Sequence, residues 1–473
     1  MRTARDRGRR RLCFQSIWSA GLIAILVVGC GSVAGTPPPS SLATTPTASA
    51  APVTPAATPS PTAAPTPTAT PDSTPTLEPV SPPTPPPTPT PAPTPLPQVG
   101  LAPSGPWTGI TWIAAGAAFP QVPAPTNDGY AAPQIFGWSG GFVGFIDVSP
   151  STVGGRSSLL ATSSADGLHW TTVRRMNRPN TRYDLAITEL VEGPSGLLAI
   201  GHYGRGACGG PATVDAMWTS KDGVAWHRVT PPNDFRTASV YTLDGGSKGF
   251  VASGTLRDGR TQRVWVSKDG RDWSAANLPT STLGKVVVDG ATSFAAGFVV
   301  AGAVLGDGGC GGPALVTPSL WWSASGVGWQ RSTLSGAKPA HNADMTVTRI
   351  SDHALMATAT TWDATTSDEI RTVWLTHDGR TWRLVHAPSK LLSQDVMTDR
   401  RRGLLVLEQP DIYGPLIIAT VGDDLAVRVL AQTGDGPVLS EDFAIRESAL
   451  GPTGVIVLSE DASKLWLGVP TTR

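Results

Sequence analysis

Long hydrophobic runs are missing from this chain, apart from one at its start. Residues 17–28 are apolar, too short a stretch to span a bilayer with ease. Charge of one sign is missing too. The 36 Lys and Arg balance 36 Asp and Glu across 473 residues, a formal net charge of zero. That leaves no electrostatic footprint for nucleic acid. Histidine is sparse. His169, His202, His227, His341, His353, His377 and His386 fall singly, with no H-x-x-H or H-E-x-x-H spacing for zinc. No glycine-rich run lies between a strand and a helix as a phosphate loop does; "GDGGCGG" from Gly306 lies between strands. Neither metal nor cofactor is expected.

What is present begins with an address. Arg2, Arg5, Arg7, Arg9, Arg10 and Arg11 precede the apolar run, which ends in "LVVGCGS". A basic n-region before a short apolar core is the pattern of a signal peptide. Without residues 1–29 the balance becomes mildly acidic. Leu26, Val27, Val28, Gly29 and Cys30 resemble the lipobox of bacterial lipoproteins. That resemblance implies Cys30 as the lipid carrier and Gly29 as the residue before the cut. It places the mature chain on the extracytoplasmic face of the cell membrane, held by its N-terminal lipid. Leu is commoner than Val three residues before such a cysteine. The alternatives are an uncleaved anchor helix, or ordinary signal cleavage with Cys30 incidental.

Residues 30–105 follow, with most of the 45 prolines among Thr, Ala and Ser and almost no aromatics. Such a segment cannot bury a core and is expected to be disordered. Its proline density favours an extended tether with a reach on the order of 200 Å.

Residues 106–473 repeat. "SADGLHW" ends at Trp170, "SKDGVAW" at Trp226, "SKDGRDW" at Trp273, "SASGVGW" at Trp329 and "THDGRTW" at Trp382. A second motif, Gly followed by a β-rich run, starts at Gly141, Gly196, Gly249, Gly297, Gly403 and Gly454, with Ala354 in place of Gly in one unit. Strand-like segments such as "AMWTS" and "TVWLT" lie between the two motifs, and others such as "SVYTLDGG" precede them. Each unit therefore reads as four short antiparallel strands, A to D. Seven units of about 50 residues predict an all-β fold, a single seven-bladed β-propeller. The seventh unit ends without a strand D. Residues 110–115 are expected to supply it, so that the N- and C-terminal strands close the ring. The sixth unit lacks its Trp, and six or eight blades remain open on that account.

Asp-Gly is a tight-hairpin signal, because Gly accepts positive φ and Asp binds nearby backbone amides. The S-x-D-G-x-x-W segments resemble the Asp-box repeat of sialidases and other propellers, one residue shorter between Asp and Gly. The resemblance covers five of the seven units and implies propeller turns, not an activity. Asp166, Asp222, Asp269 and Asp378 are accordingly read as structural. Trp170, Trp226, Trp273, Trp329 and Trp382 are read as opening strand D and filling space between blades.

Catalytic residues are not identifiable. A sialidase needs an arginine cluster and a Tyr–Glu nucleophile pair, and none of the five tyrosines is placed for it. Cys208 and Cys310 occupy the same B–C loop of units two and four and are expected to pair as a disulfide in an oxidising compartment. The alternative is two free thiols in loops too far apart to bridge. B–C and D–A loops share one propeller face. There, Tyr203 with Arg205, Trp362 with Asp363, and Asp411 with Tyr413 are candidates for a glycan or peptide; the plainer reading packs them on their own blades. The expected function is a monomeric, lipid-anchored, non-catalytic module that binds a glycan, a peptide or a partner protein, or serves as a scaffold. The alternative is a sialidase-like glycoside hydrolase. Two or more carboxylates with an arginine at the mouth of the central channel would mark the enzyme.

Overall fold

Alternating apolar residues and glycine-punctuated turns give four strands per unit, and the computed structural model places them in seven sheets. It describes residues 107–116, 119–120, 130–149, 158–176, 185–203, 214, 216–258, 261–276, 278–279, 285–306, 315–340, 343–362, 369–385, 395–399, 403–408, 417–421, 427–434, 436–437, 445–459 and 463–471. All of these belong to one of the two compact units into which the chain divides. Residues 1–106, with Cys30, lie outside the description, as do Cys208 and Cys310.

Blades 1 to 6 take their strands in chain order, A to D. Their A strands are Tyr130–Trp138, Leu185–Gly193, Ala238–Gly246, Val286–Phe294, Ala343–Ser351 and Asp395–Asp399. Blade 7 has Ile445–Gly451, Gly454–Ser459 and Leu465–Thr471 as A to C. Its fourth strand is the first of the fold, Gly109–Gly116, antiparallel to strand C with Trp112 opposite Gly468 and Ala114 opposite Trp466. Strand A of each blade touches strand A of the next, in the order 1 to 7 and back to 1. The ring is closed, with the A strands on the axis and the D strands at the rim. Seven is the blade number, because blade 6 keeps its sheet without the Trp.

Two outer strands were not expected. After strand D of blade 4, Thr333–Leu334 runs parallel to strand D of blade 5. After blade 6, Ala431–Gly434 runs parallel to Gly109–Gly116 on blade 7. At these two places the chain lines the rim of a blade before entering it, which covers an open strand edge.

The core lies between blades. One cluster joins Phe145 and Leu159 of blade 1 to Ile187 and Trp218 of blade 2; another joins Leu198 of blade 2 to Phe250 and Trp265 of blade 3. The strand-C tryptophans Trp218, Trp265, Trp321 and Trp374 are at most 1% exposed, so they, more than the motif tryptophans, fill the joints. Of the motif set, Trp329 and Trp382 are buried, while Trp170, Trp226 and Trp273 are half-buried.

Candidate functional site

The turns that carry the repeated motif come first, since they hold the four aspartates that the repeats display, Asp166, Asp222, Asp269 and Asp378. In blade 3 the Ser267 hydroxyl donates to Asp269 Oδ1 (3.1 Å) and accepts from the Gly270 N–H (2.9 Å). Asp269 Oδ1 also accepts the N–H groups of Arg271 and Asp272, both at 2.9 Å. Trp273 Nε1 closes the loop on the Gly270 carbonyl at 3.2 Å. Gly270 has φ 74°, a region that favours glycine. Blades 1, 2 and 5 repeat the pattern around Asp166, Asp222 and Asp378. The resulting pKa shifts are downward. For Asp269 the Asp272 N–H leads, against the upward push of burial. For Asp378 burial is the largest influence, and the N–H groups of Thr381 and Arg380 outweigh it. Blade 4 has Ser325 in place of Asp, and the Ser323 hydroxyl there donates to the Val327 carbonyl instead (2.8 Å). Each of the four carboxylates is thus engaged by its own turn.

The turns also interlock. Thr453 of blade 7 donates to the carbonyl of Asp166 in blade 1, Ser195 of blade 2 to that of Asp269 in blade 3, and Ser332 beyond blade 4 to that of Gly379 in blade 5. A Cβ on Gly379 would stand 2.3 Å from the Trp322 ring, so the turn glycine is also the point where blade 5 rests on blade 4.

Sequence reasoning missed the inner strands, where polar groups reach from blade to blade. Asp244 of blade 3 accepts the Thr292 hydroxyl (2.6 Å) and the Ser293 N–H (3.0 Å) of blade 4. Arg349 of blade 5 donates to the carbonyls of Ser293 (2.7 Å) and Gly245 (2.9 Å), and lies 3.4 Å from Asp244 Oδ1. Asp289 of blade 4 accepts the N–H of Met345 on blade 5 (3.1 Å), and the Leu243 N–H of blade 3 bonds to Glu189 of blade 2. Ser139 of blade 1 donates its N–H (3.0 Å) and hydroxyl (2.5 Å) to Glu192. The physical reason is the strand edge. Strand A has a ladder partner on one side only, so its free N–H and C=O groups need others. Burial pushes the Glu189 carboxyl up to about 8, with the Leu243 N–H opposing and the charge of Asp244 adding. Burial pushes Asp289 up to about 7, with the Met345 N–H opposing and Asp344 adding; burial raises Asp344 as well.

The candidate ligand residues are not brought together among the described residues. Tyr203 and Trp362 end strand B of blades 2 and 5; their side chains lie outside the description, as do Arg205, Asp363, Asp411 and Tyr413. No group of three or more His, Cys, Asp or Glu able to hold a metal occurs among the described residues.

No protein-family model matches the chain, and no curated protein does. Solved structures similar to it are propellers. The β-propeller domain of the Trilobed protease from Pyrococcus furiosus has a TM-score of 0.40 at 8% identity, covering 73% of this chain and 96% of that one. An alpha-L-arabinanase from Penicillium chrysogenum gives 0.31 at 15%, covering 68% and 96%. The Aleuria aurantia lectin gives 0.31 at 11%, covering 66% and 95%. Likeness at this level carries no argument about activity.

Proposed function

We propose that this chain is an exported, lipid-anchored propeller that binds a ligand or partner without chemistry, with Cys30 as the lipid carrier and residues 30–105 as the tether. One observation carries the non-catalytic reading. The pairing of carboxylates with an arginine that would mark an enzyme is present, as Asp244 with Arg349 beside Glu189, but Asp244 and Arg349 are engaged in joining blades 3, 4 and 5. The boxed aspartates are likewise engaged in their turns. A ligand meets a preformed surface, monomeric and held away from the bilayer. Labelling with a radioactive fatty acid tests the anchor: wild type should carry label and sediment with membranes, and Cys30→Ser should do neither. A soluble, unlabelled wild type would sink it.

One observation favours a second reading, a glycoside hydrolase. A buried carboxyl that titrates near 8, as Glu189 does, has the character of a general acid. Turnover on a panel of sialylated, plant and microbial glycans, lost by roughly a hundredfold or more in Glu189→Gln, would establish the enzyme. No turnover by wild type leaves the binding reading standing.

A further inference from the structure

Deepening that binding reading, we propose that the inner wall of blades 2 to 5 is a site for an organic cation, an amine or guanidinium group, held by Glu189, Asp289 and Asp344 with Tyr241 as its aromatic wall. Strand register sets these four at similar heights on consecutive blades. Count along strand B from the residue that opens it. Glu189 faces Ile200, the fourth residue after Gly196. Tyr241 is the bulged residue between the partners of Ser253 and Gly254, the fourth and fifth after Gly249. Asp289 is the bulged residue at the same height in blade 4, between the partners of Ala301 and Gly302. Asp344 faces Thr360, the sixth after Ala354. Four consecutive blades thus present them within about two residues of height, roughly 7 Å.

Three features of this arc call for a ligand. First, no Lys, Arg or His among the described residues forms an ion pair with Glu189, Asp289 or Asp344. Arg349 is bound to Asp244 and two carbonyls. Buried carboxyls without cations are costly. Second, Glu189 Oε2 is closed off from solvent and has no hydrogen-bond partner, although Asp244 stands close by. Third, Tyr241 is 37% exposed on an inner strand, a large ring with no burial to explain it. An exposed ring at the height of the carboxylates suits a cation. The fold does not require acids here. Gln134 in blade 1 and Thr242 in blade 3 occupy the height of Glu189 and carry no charge.

Groups face each carboxyl from the next blade: Asp244 and the Leu243 N–H at Glu189, Asp344 and the Met345 N–H at Asp289. All the side chains among them are acids, so a bound cation favours ionisation and displaces protons. Binding should therefore tighten as pH rises from about 6 to about 8.

Calorimetric titration of the folded full-length chain with spermidine, in about 0.15 M salt, tests this. The expected result is one saturable site, tighter at the higher pH, whose heat depends on the buffer's ionisation enthalpy. Asp289→Asn, Asp344→Asn and Tyr241→Ala should each weaken it about tenfold or more, while Asp272→Asn, an exposed acid on a turn, should not. The pH trend of wild type serves as the second measurement if a variant fails to fold. No saturable heat, a flat or reversed pH trend, or equal weakening by Asp272→Asn overturns the proposal. A lipid-labelled protein that binds glycans but not spermidine would keep the binding module and remove only this site.

Discussion

At the scale of single residues, the boxed aspartates are positioning groups for four short loops. Asp269→Ala strips the acceptor from two backbone N–H groups and one hydroxyl. The expected cost is about 1–3 kcal/mol, read from the urea midpoint. The reverse change is available in blade 4, where Ser325 stands in the same place. Ser325→Asp offers the N–H groups of Val327 and Gly328 the acceptor that the other turns have, and the midpoint should rise by about 1 kcal/mol. A fall instead would mean that the turn cannot relax from its present bond between Ser323 and Val327. These loops were legible in the sequence because every bond in them spans two to four residues. Asp244 was not legible. Its partners Ser293 and Arg349 lie 49 and 105 positions away, and nothing local to "TLDGG" marks it.

Among elements, strands A to D of each unit could be read from alternation and glycine, as could the closing strand. The two rim strands could not. Thr333–Leu334 and Ala431–Gly434 are two and four residues long, with half-buried Leu334 their one large apolar side chain, so they carry no hydrophobic period, and their partners, Thr381–Trp382 and Gly109–Trp112, lie far off in the chain. The closing strand carries Ile110 and Trp112 into the blade 7 core, and Trp112 Nε1 reaches Gln432 (2.9 Å). Removing residues 107–116 should cost on the order of 5 kcal/mol or more and broaden the thermal transition, because strand Leu465–Thr471 loses a neighbour. A peptide of sequence WTGITWIAAG should restore part of the loss. Gly109 is a narrower test. Its Cβ would lie 2.8 Å from Thr471 Oγ1 and 2.9 Å from the Ala431 carbonyl, so Gly109→Val should disturb both partners of the clasp.

For the whole molecule, two sets of carboxyls pull stability in opposite directions. Asp166, Asp222, Asp269 and Asp378 titrate below their ordinary value, so their contribution is present above about pH 4 and fades as acid protonates the folded turns. Glu189 and Asp289 titrate above theirs. The folded ring holds protons that the unfolded chain has released, and stability falls as pH climbs from about 4.5 toward 8. Melting temperature should peak near pH 5. Glu189→Gln should flatten the alkaline limb; an unchanged limb would show that the carboxyl is ionised in the ring.

The clasp has a mechanical consequence. Strand Gly109–Gly116 is the entry point of the fold and lies between a parallel and an antiparallel neighbour. Tension on the segment that precedes it acts along the strand, in shear. Its ladder bonds then bear the load together, where peeling would break them one by one. In the tethered protein proposed above, the ring would hang from the strand that closes it.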